Sequence, residues 1–486
     1  MNRFGVFFGS FFLRRYIGER RAFAPFFSRA RLALACAILL LSARAAAAQD
    51  LRIDMAQVNG SVLAVAESDG VFYIGGAFTA VINPDGSVVA RNRIAAIDAS
   101  TGYATGWNPG ADGDVVCIVP SADVVYIGGS FLNAGGQPRS RAAALDKSSG
   151  AATAWDPQPN GTVFTMLLSG NTMYMGGAFF QIAGINRFFL GAVQADGAGA
   201  LLPWDPSADD FVFSLARQGN VIYAGGTFLN VGGMGRPRIA AIDAATGVPT
   251  AWNPASNNIV LSVASDGANV YAGGFFATIG GGGRQGLAAL DPATGLLTAW
   301  NPACDNGVLR VLPLADGRVI AGRNYASIGG AARQNLAALN PTSALTQGWA
   351  NPNTSGQIEF NGLANVAGES TVLVGGQFTS LAGLPRGYFA VLDQPVPRAW
   401  FSGLAFPELP ANTGAVGETH TRSWRNAYYR ARPNNVGAAA RNDSLHRRAL
   451  HRERHTGGIK PRRSRPQLPK RTVFLCRRGA IARRRK

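Results

Sequence analysis

The sequence predicts an all-β chain in which one short unit recurs seven times. Three observations lead there. Tryptophans fall at 107, 155, 204, 252, 300 and 349, a spacing of 48 or 49 residues throughout. An apolar pair followed by Gly-Gly-x-Phe recurs as Tyr73–Phe78, Tyr126–Phe131, Tyr174–Phe179, Tyr223–Phe228, Tyr271–Phe276 and Leu373–Phe378. A degraded copy, Ile320–Tyr325, carries Arg323 at the second glycine position and brings the count to seven. A fixed period of this size marks a repeat architecture. Helical solenoids are excluded because the apolar residues do not recur at the helical period.

Copy 4 gives the elements in order. Val212-Phe213-Ser214-Leu215 reads as strand one and Gln218-Gly219-Asn220 as a tight turn. Val221 to Phe228 is strand two, and the glycine-rich Val231 to Arg236 is a loop. Strand three is Ile239 to Ile242. Asp243 to Gly247 then makes a turn in which the Asp side chain accepts backbone N–H bonds and glycine supplies positive φ. Strand four carries Thr250-Ala251-Trp252 and ends at Asn253-Pro254, since proline lacks the donor a ladder needs. A four-stranded antiparallel sheet repeated radially is a propeller blade. The expectation is therefore a seven-bladed β-propeller over residues 49–395.

The ends suggest how such a ring closes. Copy 7 runs from Phe360 to Asp393 without a clear fourth strand. Leu51-Arg52-Ile53-Asp54-Met55 stands ahead of copy 1 in the register that Thr153-Ala154-Trp155-Asp156-Pro157 holds ahead of copy 3. The N-terminal segment is thus expected to supply the missing outer strand and remove the last open sheet edge. Val396 to Phe401, with Trp400, is the competing strand.

Outside the repeats the composition changes abruptly. Residues 1–49 hold 8 basic and 1 acidic side chains, residues 50–395 hold 16 and 23, and residues 396–486 hold 22 and 4. A basic lead, the apolar run Leu32 to Leu41 and an Ala-x-Ala stretch make a secretory signal over residues 1–48, with cleavage expected after Ala48. The run is short for a spanning helix. Membrane attachment is expected only if this segment stays uncleaved, and the address is secreted, periplasmic or cell envelope. Export would permit disulfides, but Cys117, Cys304 and Cys476 sit at no framework spacing. The tail from 396 carries like-charge runs such as Arg483-Arg484-Arg485-Lys486, which repel and stay unfolded. Two readings fit it: a disordered basic tail, or out-of-frame translation of a GC-rich gene.

The combination Gly-Gly-x-Phe, Gly-Gly-x-x-Arg, Leu-Ala-Ala-Leu-Asp-x-x-Thr-Gly and Trp-Asn-Pro resembles the delta-60 repeat of β-propeller proteins, common in exported bacterial proteins. It covers about residues 51–395. Ala96-Ile97-Asp98-Ala99-Ser100-Thr101-Gly102 with Trp107 is also similar, more weakly, to quinoprotein-type blades, in which tryptophans dock one blade on the next. That second resemblance implies eight blades and a quinone cofactor surrounded by basic residues, a metal and a catalytic carboxylate. The repeat domain has no histidine and no adjacent cysteines, so no cofactor is expected. The same shortage excludes a Ser-His-Asp triad and His-ligated or Cys₄ zinc.

Candidate site residues are few. An arginine stands seven positions before the turn residue of every copy: Arg91, Arg139, Arg187, Arg236, Arg284, Arg333 and Arg386. One reading is a ring of guanidinium groups that binds anions. The other is that each arginine ties its own loop to a backbone carbonyl or a neighbouring Asp. Strand one presents Ala64, Cys117, Thr165, Ser214, Ser262 and Arg310 at one equivalent position, as suits a strand facing a narrow channel. Arg310 breaks that run and is the second candidate. The expected function is an exported binding or scaffold module for a protein or glycan, monomeric and without nucleic-acid partners. The alternative is an enzyme with its site at a channel mouth, using carboxylates as a hydrolase or lyase, or acting as a quinoprotein-like oxidoreductase.

Overall fold

The computed structural model describes residues 50–323, 325–347, 352–366 and 371–393. The expected signal (1–48), Trp349, the competing strand Val396–Phe401 with Trp400, and the basic tail from 396 lie outside the described residues. The described chain is all β, built of many small antiparallel sheets and no helix.

In copy 4, Val212–Gln218 pairs antiparallel with Val221–Gly226, which pairs in turn with Ile239–Asp243. The Asp243 carboxylate accepts the N–H groups of Ala245 and Thr246, closing the turn as expected. Its counterparts Asp98 and Asp146 are held at about 2, first by hydroxyls of Ser100 and Ser148 and then by backbone N–H groups.

Two segments differ from expectation. The fourth segment is not a strand: it keeps one bridge, Ile242↔Pro249, and a single N–H from Thr250 to Ala241 O. Five other copies keep the same single bridge without a proline there, as in Ile97↔Ala104 and Leu290↔Leu297, and the proline after each tryptophan motif, Pro254 here, ends the segment. The sheets of copies 2 to 6 are accordingly three-stranded. The glycine-rich loop, in contrast, is a small hairpin of Asn230–Val231 and Met234–Gly235. Gly232 and Gly233 take φ of 56° and 74°, the two-residue turn that matches strand twist.

Tryptophan spans neighbouring copies. Trp252 packs edge-on against Tyr223 of its own copy at 5.1 Å and donates through Nε1 to Asp291 O of the next at 3.0 Å. Trp107, Trp155, Trp204 and Trp300 repeat both contacts, on Asp146, Gln194, Asp243 and Asn340. An indole offers a large apolar face and one donor, which suits a buried joint needing both.

The paired glycines set how near the sheets come. A Cβ on Gly75 would lie 2.6 Å from Val115 Cγ1 of the next copy. One on Gly375 would lie 2.6 Å from Val62 Cγ1 of copy 1, so the last copy approaches the first as the others approach their successors. The strand-one segments pack on one another in chain order. That of copy 7, Ile358–Asn365, packs back on that of copy 1, Val62–Ser68, through the parallel pair Ala64↔Asn361.

The N-terminal strand Asp50–Leu51 pairs antiparallel with Phe389–Asp393 of copy 7, through Asp50↔Asp393 and Leu51↔Leu392. The register is one residue off the expected one. Arg52 N–H bonds Val391 O as Thr153 N–H bonds Ala144 O, so Arg52, not Leu51, takes the place of Thr153. Asp54 therefore stands where other copies have tryptophan. Sequence alignment of Ile53 with the indole failed because burial chose Met55 for the interior, with Ile53 left 72% exposed.

Candidate functional site

The seven predicted arginines serve their own copies. Arg236 donates through Nη1 to Gly235 O and through Nη2 to Thr250 O, bracing the short fourth segment that lacks a ladder. Arg91, Arg139, Arg187 and Arg284 hold the equivalent pairs Ala90/Thr105, Pro138/Thr153, Asn186/Leu202 and Gly283/Thr298. Arg333 donates to Ala332 O. Arg386 is the buried member, and its two acceptors, Met55 O and Arg52 O, belong to the N-terminal segment. Donation to backbone carbonyls is thus what these guanidinium groups share.

Arg310 lies half-buried on its short first strand, Arg310–Pro313. The equivalent Thr165, Ser214 and Ser262 are buried, and their hydroxyls accept the N–H of Leu215, Val263 and Val311 on the next copy. Arginine cannot accept, so this stitch is missing at copy 6. Burial lowers the Arg310 guanidinium to about 10. The first strand of copy 7 bulges: four residues, Glu359 to Gly362, stand opposite Gly375. From this bulge Asn361 Nδ2 donates to Val116 O of copy 2 at 2.9 Å and Phe164 O of copy 3 at 3.1 Å. Asn361 thus reaches strand-one backbone of copies 2 and 3 while pairing with copy 1. Sequence reading missed it; the only signal was the long spacing between Ile358 and Gly376.

A position that repeat reading passed over organises one end of the sheets. Two residues after each arginine stand Arg93, Arg141, Phe189, Arg238, Gly286, Asn335 and Tyr388, all left-handed with φ between 62° and 71°. In copy 3 the N–H of Phe189 bonds Phe179 O, and its C=O accepts from Gly177 N–H; the other six make the same two bonds. The backbone is fixed, yet the side chain varies. Glycine does this task at Gly286, and large side chains bear a strain of roughly 1–3 kcal/mol in such conformations. Where they face the next copy they meet the residue just before its first strand. In copy 1 that contact is the ion pair Arg93–Asp114 at 2.7 Å. In copy 3 it is the ring pair Phe189–Phe211 at 5.7 Å.

Phe189 and Phe211 belong to a longer run. Ring contacts of 5.0 to 6.4 Å join Phe213, Phe164, Phe211, Phe189, Phe180 and Phe188. Three of them reach solvent, Phe180 at 49%, Phe188 at 41% and Phe211 at 38%. Leu132 and Leu229, which occupy the Phe180 position in copies 2 and 4, are also exposed. Copy 6 presents the opposite surface at these positions: an open hollow lined by Asp305, Asn306, Gln334, Asn335, Thr354 and Ser355.

The chain matches no protein-family model, and no curated protein matches it. Among solved structures it is similar to the crystal structure of the computationally designed Ika8 protein, at 13% identity and a TM-score of 0.42, over 69% of this chain and 98% of that one.

Beside the polar hollow lies one further unrepeated group. Arg323, at φ 139° in place of a glycine, sits 4.7 Å over the Phe275 ring. Burial lowers its guanidinium, and Glu359 opposes that shift. Glu359 is only 4% exposed; burial raises its carboxyl, while Gln357 and Arg323 pull the other way. Cys117 and Cys304 are buried free thiols, and burial pushes each up to about 12, which keeps them protonated and unreactive. No group of three or more His, Cys, Asp or Glu able to hold a metal occurs among the described residues.

Proposed function

We propose that this chain is an exported seven-bladed β-propeller, of the delta-60 kind its repeats resemble, that works as a binding or scaffold module. Support for the ring comes from the strand-one contacts that run from copy to copy and return from copy 7 to copy 1. The joining of the Asp50–Leu51 strand to Phe389–Asp393 supports it further. One observation carries the binding reading. Seven left-handed positions with an identical backbone hold five kinds of side chain, and at one of them Phe189 joins the exposed phenylalanines of copies 3 and 4. A fixed frame with variable surface residues is how rigid scaffolds present recognition elements. The partner class is a protein or a glycan.

The test is a protein and glycan array probed with the full chain, with excess dextran sulfate to occupy the basic tail. The expected result is a discrete set of partners whose signal falls in a Phe211→Ser variant. An array signal that dextran sulfate removes completely would overturn the reading, as would turnover of a substrate at an unchanged rate in Phe211→Ser.

A further inference from the structure

We infer that the phenylalanine run of copies 3 and 4 is a docking surface for an extended acidic polypeptide segment carrying apolar side chains. The inference rests on the binding-module reading and names its partner. Two independent features point to that chemistry. The first is shape and polarity: Phe180, Phe188 and Phe211 are exposed on a continuous ring contact network, with Ile185 and Met234 exposed on the adjoining hairpin tips. Contiguous exposed apolar surface of this kind marks interaction sites on soluble proteins. Phenylalanine offers no hydrogen-bonding group, so a sugar could only stack a C–H face on these rings and would find no partner there for its hydroxyls. Apolar side chains of a peptide would bury against them.

The second feature is charge. The positions equivalent to Phe189 on either side hold Arg141 in copy 2 and Arg238 in copy 4. Arg141 donates to Ser140 Oγ and Arg238 to Ser256 O, and neither has a carboxylate partner among the described residues. Arg93, at the same position in copy 1, is neutralised by Asp114. The nearby carboxylates keep their charge, but their oxygens are directed to other partners. Asp209 caps the N–H groups of Leu229 and Asn230, Asp210 accepts Phe211 N–H, and Asp205 lies 3.3 Å from Arg187. The apolar surface is therefore flanked by two cations without a carboxylate partner among the described residues, and a ligand with carboxylates at its flanks would supply one to each. Charge of this kind sets orientation and on-rate as much as affinity.

Three synthetic peptides test the assignment on the full chain by fluorescence anisotropy: one alternating phenylalanine with aspartate, one with lysine in place of aspartate, and one with serine in place of phenylalanine. The first should bind at least about tenfold more tightly than the other two. Phe180→Ser with Phe188→Ser should weaken it about tenfold, since both rings are surface-exposed and their loss leaves the core intact. Arg141→Gln with Arg238→Gln should leave a weaker complex whose affinity falls less steeply with added salt. Leu384→Ser, on the exposed hairpin of copy 7, should change nothing. Equal binding of the serine and phenylalanine peptides would mean that the basic tail captures acids by charge alone, and overturns the inference. So does unchanged affinity in Phe180→Ser with Phe188→Ser, or self-association of the chain that this pair abolishes. Array partners that survive while all three peptides fail would sink this inference and leave the binding-module reading standing.

Discussion

The joints between internal copies and the joint between copy 7 and copy 1 solve one packing problem with different chemistry. At five internal joints an indole fills the gap and donates one hydrogen bond to the next copy. At the joint between copy 7 and copy 1 no tryptophan stands among the described residues. Met55 and Ala56 pack with Phe72, Ile74, Leu373 and Phe389, and the polar tie passes to arginine. Arg52 Nη1 donates to Ala99 O of copy 1 and pairs with Asp54 at 2.7 Å, while Arg386 reaches in from copy 7. The contrast teaches that both kinds of joint combine apolar area with directional bonds. The joint made by two distant segments draws more of its bonds from arginine, which helps to fix a register that nothing covalent sets.

The strongest way to break the internal joint is Trp252→Ala. Removing a large buried ring costs roughly 3–5 kcal/mol, read as a lowered guanidinium midpoint. If the midpoint moves as little as for an exposed alanine substitution, tryptophan is not the joint. The joint between copy 7 and the N-terminal segment is tested by comparing Arg386→Ala with Arg236→Ala. Loss of Arg386 strands two buried carbonyls at about 1–3 kcal/mol each, whereas the half-buried Arg236 should cost about half as much. Hydrogen exchange should then quicken at Phe389–Asp393 in Arg386→Ala and not in Arg236→Ala. Equal stability losses would remove the distinction between the joints.

The smallest effect concerns pH. Glu359 has its carboxyl raised by burial, so the folded state holds its proton to a higher pH than the unfolded chain does. Stability from this group is present below the ordinary glutamate range and is lost as pH rises through the raised value. Glu359→Gln should flatten urea midpoints measured from pH 4 to pH 8, with the difference from wild type growing towards pH 8. A parallel offset at every pH would show that Glu359 does not titrate in this window.

Much of this was legible in the chain. Period, strand composition and turn chemistry placed the first three strands of each copy, because hydrophobic alternation and Asp/Gly turns are local signals. The fourth segment was misread, since its composition suits a strand while only one bridge pairs it in copies 1 to 6 and a proline soon ends it. The arginines stood out because they repeat, and repetition marked them as braces of the fold. The variable residues two positions later were invisible for the converse reason: what is constant there is a φ angle, which no side chain announces when Arg, Phe, Gly, Asn and Tyr all adopt it.

The order of residues by itself determined the repeat, its strands and its turns, each governed by neighbours within a few positions. Only tertiary structure decided that Phe164, Phe189 and Phe211 meet, that Asn361 bonds copies 2 and 3, and that Arg386 holds residues more than three hundred positions away. Those contacts depend on how sheets stack and return, and stacking brings together residues whose separation along the chain carries no record of their distance in space.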